Sequence, residues 1–200
     1  MKESLRQGKV VTLPQVNTIA DGTAVKRPGE KLFPYIQENV DEIITIDDNE
    51  LIVAFLDMVE NHKMIVENSG LLTVAALKHI KAEKKKVVSI LSGGNMDVIT
   101  LSSIVQHGLI QRDRVFTVSV LLPDKPGELA RVSSLLAEQH GNIIKLEHNQ
   151  FISINRNAAV ELRITMEAFG TEHKNQIVTA LTDAGYRPKL VKVKGTYSEM

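Results

Sequence analysis

The chain has 200 residues, 43% hydrophobic and 24% charged, enough for one medium domain or two small ones, each with its own core. Its 24 basic and 24 acidic side chains cancel, so no net field gathers nucleic acid or an anionic membrane, and neither is expected as a partner. Cysteine is absent, which excludes disulfides, thiolate metal sites and a cysteine nucleophile, and suits a reducing cytoplasm.

The opening residues lack the apolar core of a secretion signal, and no apolar run approaches the roughly 20 residues that span a bilayer, so a cytoplasmic location is expected. From residue 42 the chain alternates strand-like runs with helix-period segments, the pattern of a parallel sheet covered by helices. Residues 42–46 (EIITI) predict a strand. Asp47 then caps a helix, with Glu50 completing a capping box, and Leu51, Ile52, Phe55, Leu56 and Val59 form one buried stripe. Residues 64–66 predict the next strand. Residues 69–82, apolar almost all round, predict a helix buried on more than one side, ended by a stretch holding four lysines in six residues. Residues 87–91 (VVSIL) predict a strand running into Ser92-Gly93-Gly94-Asn95, where glycine lets backbone approach a ligand at a strand's carboxyl end. A helix over 97–111 closes a first domain, 1–111.

A second domain, 115–195, reads differently. Strand 115–122, a Pro-Gly turn, helix 128–139 and strand 143–148 come first; after a loop at 153–157 follow strand 158–166, helix 171–184 ended by Gly185, and strand 187–193. This βαββαβ order predicts an antiparallel ferredoxin-like sheet with both helices on one face. Phe116, Val118, Val120 and Leu122, with Val160, Leu162, Ile164 and Met166, are the expected core. Unpaired edges of such a sheet favour association with a second copy, so a homo-oligomer through this domain is expected. The six histidines show no His-x-x-x-His spacing, and no metal is expected.

Four motifs carry a resemblance. TIADGTAVKRPG at 18–29, VENSG at 66–70 and LSGGNMD at 91–97 resemble, in order and spacing, threonine and serine dehydratases of the tryptophan-synthase-β fold type, which use pyridoxal 5'-phosphate. LPDKPGELA at 122–130, with GNII at 141–144, resembles the ACT domains of regulated threonine dehydratases. The resemblance covers nearly the whole chain and implies the C-terminal part of a threonine ammonia-lyase: partial fold-type II sheet, then ACT domain. It assigns Ser92 to the cofactor's pyridine nitrogen, Glu67 to the neighbourhood of the ring, and Gly93, Gly94 and Asn95 to the loop around it; Ser92 as a helix N-cap is the alternative. Asp21 and Gly22 border the site or form an ordinary turn. For the ACT half, it implies a branched-chain amino acid, isoleucine or valine, held by Asp124, Pro126, Gly127 and, from a partner, Asn142; the alternative is a domain that only dimerises.

The departures from the pattern matter as much. The family's Schiff-base lysine lies in a Ser-Phe-Lys motif and its phosphate in a glycine-rich loop; neither pattern occurs here, and Lys26 matches neither. No catalytic residue is therefore assigned, and weak cofactor binding with no turnover of threonine or serine is expected of this chain alone. Two origins stand: a truncated gene, with Met1 an internal methionine, or one chain of a split enzyme. In either, residues 87–91 lack sheet neighbours and leave apolar surface exposed. A non-enzymatic, amino-acid-binding regulator is the second functional reading.

Overall fold

The chain folds into two units, 1–105 and 106–200, in a computed structural model that describes residues 1–149 and 160–191. The loop expected at 153–157, the first residues of the strand expected from 158, and the end of the strand expected to 193 lie outside the described residues.

In the first unit, α1 (Lys2–Gln7) and α2 (Phe33–Asn39, with Pro34 in its first turn) flank an irregular stretch. The next helix, α3 (Asp48–Asp57), starts where the capping box places it. The Asp47 carboxylate accepts from the Asn49 N–H (2.8 Å), and the Glu50 carboxylate accepts from the Asp47 N–H (3.1 Å), so two of the helix's orphan donors are satisfied. Of its predicted stripe, Leu51, Ile52, Phe55 and Leu56 meet water hardly at all, and Val59 is partly buried. Leu51, Ile52 and Phe55 pack with Ala20, Val66, Leu71, Ala75 and Ile104. A π-helical turn, Met58–His62, ends the helix at Lys63.

The single helix expected over 69–82 is instead a 3-10 turn (Asn68–Leu71), one α turn, α4 (Leu72–Ala75), and another 3-10 turn (Ala76–His79). Only Leu71 and Ala75 of residues 71–82 are buried, so one face alone is packed, and a short helix without packing on more sides propagates poorly. The strands expected at 42–46, 64–66 and 87–91 join no ladder among the described residues. A parallel strand needs hydrogen-bonded neighbours; here Val88 and Ile90 stand 87% and 72% exposed, as the sequence reading anticipated for residues 87–91. α5 (Val98–Gln111) is capped by Asp97, whose Oδ1 accepts from the N–H groups of Ile99 (2.9 Å) and Thr100 (3.0 Å).

The second unit contains the sheet. β1 (Val115–Leu122), α6 (Glu128–Glu138), β2 (Asn142–Asn149), β3 (Val160–Glu167), α7 (Thr171–Asp183) and β4 (Lys189–Val191) follow the predicted order, and the strands lie β2-β3-β1-β4, all antiparallel. This is the ferredoxin-like arrangement. Register explains the core: Phe116 faces Met166, Val118 faces Ile164, Val120 faces Leu162, and all point at Val132 and Leu136 of α6 and Ile177 and Leu181 of α7. The other face is mixed, with Val115 and exposed Leu121 beside the Thr117 and Thr165 hydroxyls, 2.9 Å apart, and the Ser119 hydroxyl donating to Glu161 (2.5 Å). β2 carries one irregularity: Ile143 pairs with Met166 and Lys145 with Thr165, so Ile144 has no opposite residue.

Candidate functional site

Three segments of the first unit meet: the turn at 18–23, residues 66–71, and the loop at 91–97. The Glu67 N–H donates to the Gly93 carbonyl (3.3 Å), and the Glu67 carboxylate accepts from the Asn95 N–H (3.4 Å). Two glycines make the approach possible. Gly93 has φ +78°, and a Cβ there would lie 2.0 Å from the Glu67 carboxyl carbon. A Cβ on Gly70 would lie 1.7 Å from the Ser92 carbonyl oxygen. The two segments therefore interlock, Glu67 seated on Gly93 and Ser92 seated on Gly70. Gly94 differs, because a Cβ there meets nothing within 4 Å among the described residues, and its carbonyl accepts from the Met96 N–H (3.0 Å).

Ser92 is exposed, and its hydroxyl makes no hydrogen bond to any described residue. The cap of α5 is Asp97, so the N-cap alternative for Ser92 is not what the structure shows. Asp97 is held below the usual carboxylate range, first by the Thr100 hydroxyl and then by the helix amides. The cluster thus offers a neutral hydroxyl at Ser92, a half-buried carboxylate fixed at Gly93, and open space beside the Gly94 Cα. Such a set suits the edge of a heteroaromatic ring carrying one hydrogen-bonding nitrogen. The Asp21–Thr23 turn abuts it: a Cβ on Gly22 would lie 2.8 Å from Ser69 Oγ, a buried hydroxyl with no partner among the described residues.

The expected effector residues fall into two places. Asp124, Pro126 and Gly127 (φ +95°) form the exposed connection into α6. Asn142 begins β2, level with Glu167 and Val115, whereas the 124–127 turn follows Leu122 at the far end of β1. Seven residue steps of strand separate those ends, roughly 23 Å, so one chain does not bring them together. Asn142 instead donates to Glu167 (2.7 Å) and lines a cavity of about 200 Å³ with His140, Ala168 and Phe169. Sequence reasoning missed that cavity, and it missed the tie between Glu128 and Tyr186. The Tyr186 hydroxyl donates to the Glu128 carboxylate (3.1 Å) at the start of α6, and burial, then that carboxylate, pushes the phenol's pKa up. It also missed Asp48 and Asn68, which hold the 18–20 segment; nothing in spacing flags contacts 29 and 49 residues apart.

Comparison with known proteins agrees with these two units. Residues 1–93 match the family described as pyridoxal-phosphate dependent enzyme, and residues 116–185 match the ACT domain family. The L-threonine ammonia-lyase of Geobacter sulfurreducens is 36% identical over 191 residues, covering 94% of this chain and 48% of that protein. The L-threonine ammonia-lyase of Thermotoga maritima is 30% identical over 192 residues, covering 96% of this chain and 48% of that protein. The solved structure of processed threonine deaminase isoform 2 from Solanum lycopersicum is 32% identical, covering 52% of this chain and 32% of that chain, with a TM-score of 0.48. The chain spans about half the length of the curated relatives it matches. It belongs to the pyridoxal-phosphate dependent enzymes through residues 1–93 and to the ACT domains through residues 116–185.

Proposed function

We propose that residues 1–111 are the part of a threonine ammonia-lyase that receives the pyridine-nitrogen end of pyridoxal 5'-phosphate, and that residues 115–195 are its amino-acid-binding regulatory domain. The observation that carries this reading is the interlock of Glu67 with Gly93, beside which the exposed Ser92 hydroxyl has no partner among the described residues. The overall reaction converts threonine to 2-oxobutanoate and ammonia; serine is the alternative substrate. When bound, pyridoxal phosphate supplies the electron sink that weakens bonds at the substrate's α-carbon. Ser92 offers the ring nitrogen a neutral hydroxyl. Unlike a carboxylate, it does not hold that nitrogen protonated, a setting that suits loss of the β-hydroxyl over racemisation or transamination. Glu67 orders the loop around Ser92 through the Asn95 N–H. No segment of this chain matches the family's lysine or phosphate loop, so this chain alone binds the cofactor weakly and is inactive. A cytoplasmic setting is part of this proposal, and the cysteine-free sequence is compatible with it without requiring it.

In the regulatory half, the carboxylate of isoleucine or valine is held at the 124–127 turn, with Asn142 supplied by a second copy of the chain. The separation of Asn142 from that turn within one chain favours this shared arrangement. A second reading, a regulator that binds an amino acid without catalysis, is favoured by the missing lysine motif.

Amide shifts of ¹⁵N-labelled chain titrated with pyridoxal phosphate test the first half: Ser92, Gly93, Gly94 and Asn95 are expected to move. No movement there at millimolar cofactor sinks the ring-nitrogen site. Borohydride trapping with peptide mapping is expected to find no single modified lysine; one specific adduct would make this chain a minimal enzyme. Isothermal titration with isoleucine and valine tests the second half, and no heat at millimolar ligand removes sensing.

A further inference from the structure

Two side chains outside the proposed ligand set act on one residue. Asp48, at the start of α3, accepts from the Thr18 hydroxyl (2.6 Å) and from the Ile19 N–H (3.1 Å). Asn68, only 5% exposed, donates to the Ile19 carbonyl (2.9 Å). Ile19 is therefore gripped through both its N–H and its C=O, by residues from two different segments. The grip extends along the chain: Thr18 Oγ1 accepts from the Ala20 N–H (3.1 Å), and the Ala20 carbonyl accepts from the N–H and the hydroxyl of Thr23 (3.0 Å each). The turn so held presents Gly22 where a Cβ would lie 2.8 Å from Ser69 Oγ and 3.5 Å from Glu67 Oε1. Among the described residues, the Ser69 hydroxyl makes no hydrogen bond that would draw the turn in. What seats the turn is the grip on Ile19.

We infer that Asp48 and Asn68 are positioning residues for this site: they set the Asp21–Gly22–Thr23 turn as a wall against Glu67, and so fix the carboxylate that orders residues 92–95. The functional meaning rests on the reading of Ser92 to Asn95 given above, while the grip itself is independent of it. Asn68 suits this task because an amide presents donors where a carbonyl must be met. Asp48 suits it because its two carboxylate oxygens, neither of which carries a donor, meet the Thr18 hydroxyl and the Ile19 N–H one each.

Amide hydrogen exchange and pyridoxal-phosphate-induced amide shifts, both read on the ¹⁵N-labelled 200-residue chain, test the inference. Asn68→Asp keeps the size but sets an acceptor against the Ile19 carbonyl, Asp48→Asn leaves one oxygen for two donors, and exposed Asn61→Ala is the control. In Asn68→Asp and Asp48→Asn, exchange at the amides of residues 20–24 is expected to rise about tenfold or more, while Phe55 and Leu56 keep their protection. The response of residues 92–95 to pyridoxal phosphate is expected to need about tenfold more ligand in the same variants. Unchanged exchange at 20–24 overturns the inference. So does a uniform rise across residues 1–105, which would mean a general structural role, and so does local loosening with an unaltered ligand response. If the unsubstituted chain shows no response at 92–95, the cofactor reading falls, and the exchange measurement still decides whether the grip exists.

Discussion

At the scale of single residues, Gly93 and Gly94 differ in what a methyl group would meet. Gly93→Ala must adopt a left-handed φ and push Glu67 aside, and is expected to destabilise the first unit by about 2 kcal/mol or more. Gly94→Ala meets nothing, and its stability should stay within about 0.5 kcal/mol of the parent. Urea unfolding followed by circular dichroism separates the two; equal effects would mean that the Glu67 interlock does not constrain the loop. A motif read from sequence treats both glycines alike. Their difference lies in a carboxylate 26 positions away, which only the folded chain brings to Gly93.

At the scale of elements, Glu50 links two. Its carboxylate caps α3 and also receives Lys78 Nζ (3.0 Å) and His79 Nε2 (2.8 Å) from the 3-10 turn at Ala76–His79. The Asp47 N–H first, and Lys78 next, lower its pKa from 4.5 to about 2. Because the folded value lies below the unfolded one, this contribution is complete above the unfolded pKa and is lost as pH falls from about 4.5 towards 2. Glu50→Gln should therefore unfold more easily than the parent at pH 7, the gap closing by pH 2 to 3; a gap constant across that range would count against the ion cluster. In the sheet, Leu162→Ala removes a fully buried side chain facing Val120 and should cost the second unit about 2–5 kcal/mol in thermal unfolding. An effect below about 1 kcal/mol would mean that this layer repacks freely.

These elements were unequally legible. The second unit was readable because strict alternation in β1 and β3 leaves only one way to bury Val118, Val120, Leu162 and Ile164. The start of α3 was readable because a capping box is local. Residues 42–46, 64–66 and 87–91 looked like strands because Val and Ile favour a pleated surface, but propensity supplies no neighbour to pair with. The helix expected at 69–82 was overestimated because composition could not show that only Gly70, Leu71 and Ala75 would be covered. Ser92, Glu67 and the glycines came from motif resemblance, whereas Asp48 and Asn68 depend on long-range closure that no local pattern encodes.

At the scale of the whole molecule, the two units present different surfaces to solvent. In the first, Val88, Ile90, Val98 and Ile99 are all largely exposed, close in sequence, on a chain that spans about half of its relatives. Exposed apolar side chains in this number bind hydrophobic dyes and favour self-association. Charged replacements at Val88 and Ile90 are expected to lower dye fluorescence and raise solubility without shifting the unfolding midpoint; a lowered midpoint would show that these side chains are part of a core. In the second unit the exposed strand β2, with Ile144 and Leu146 open to solvent, is the edge at which a second copy would add. Sedimentation equilibrium is expected to give twice the chain mass at micromolar concentration, and Ile144→Lys to return it to one; a monomer throughout would remove the shared amino-acid site.

The unmatched Ile144 has one more consequence. Pairing resumes at Lys145 as though Ile144 were not there, so β2 behaves as a seven-residue strand written in eight letters. Elsewhere in the sheet, losing one residue would turn every later side chain to the wrong face. Here the reading frame of inside and outside survives, and β2 can be shortened by one letter without changing any partner across the ladder.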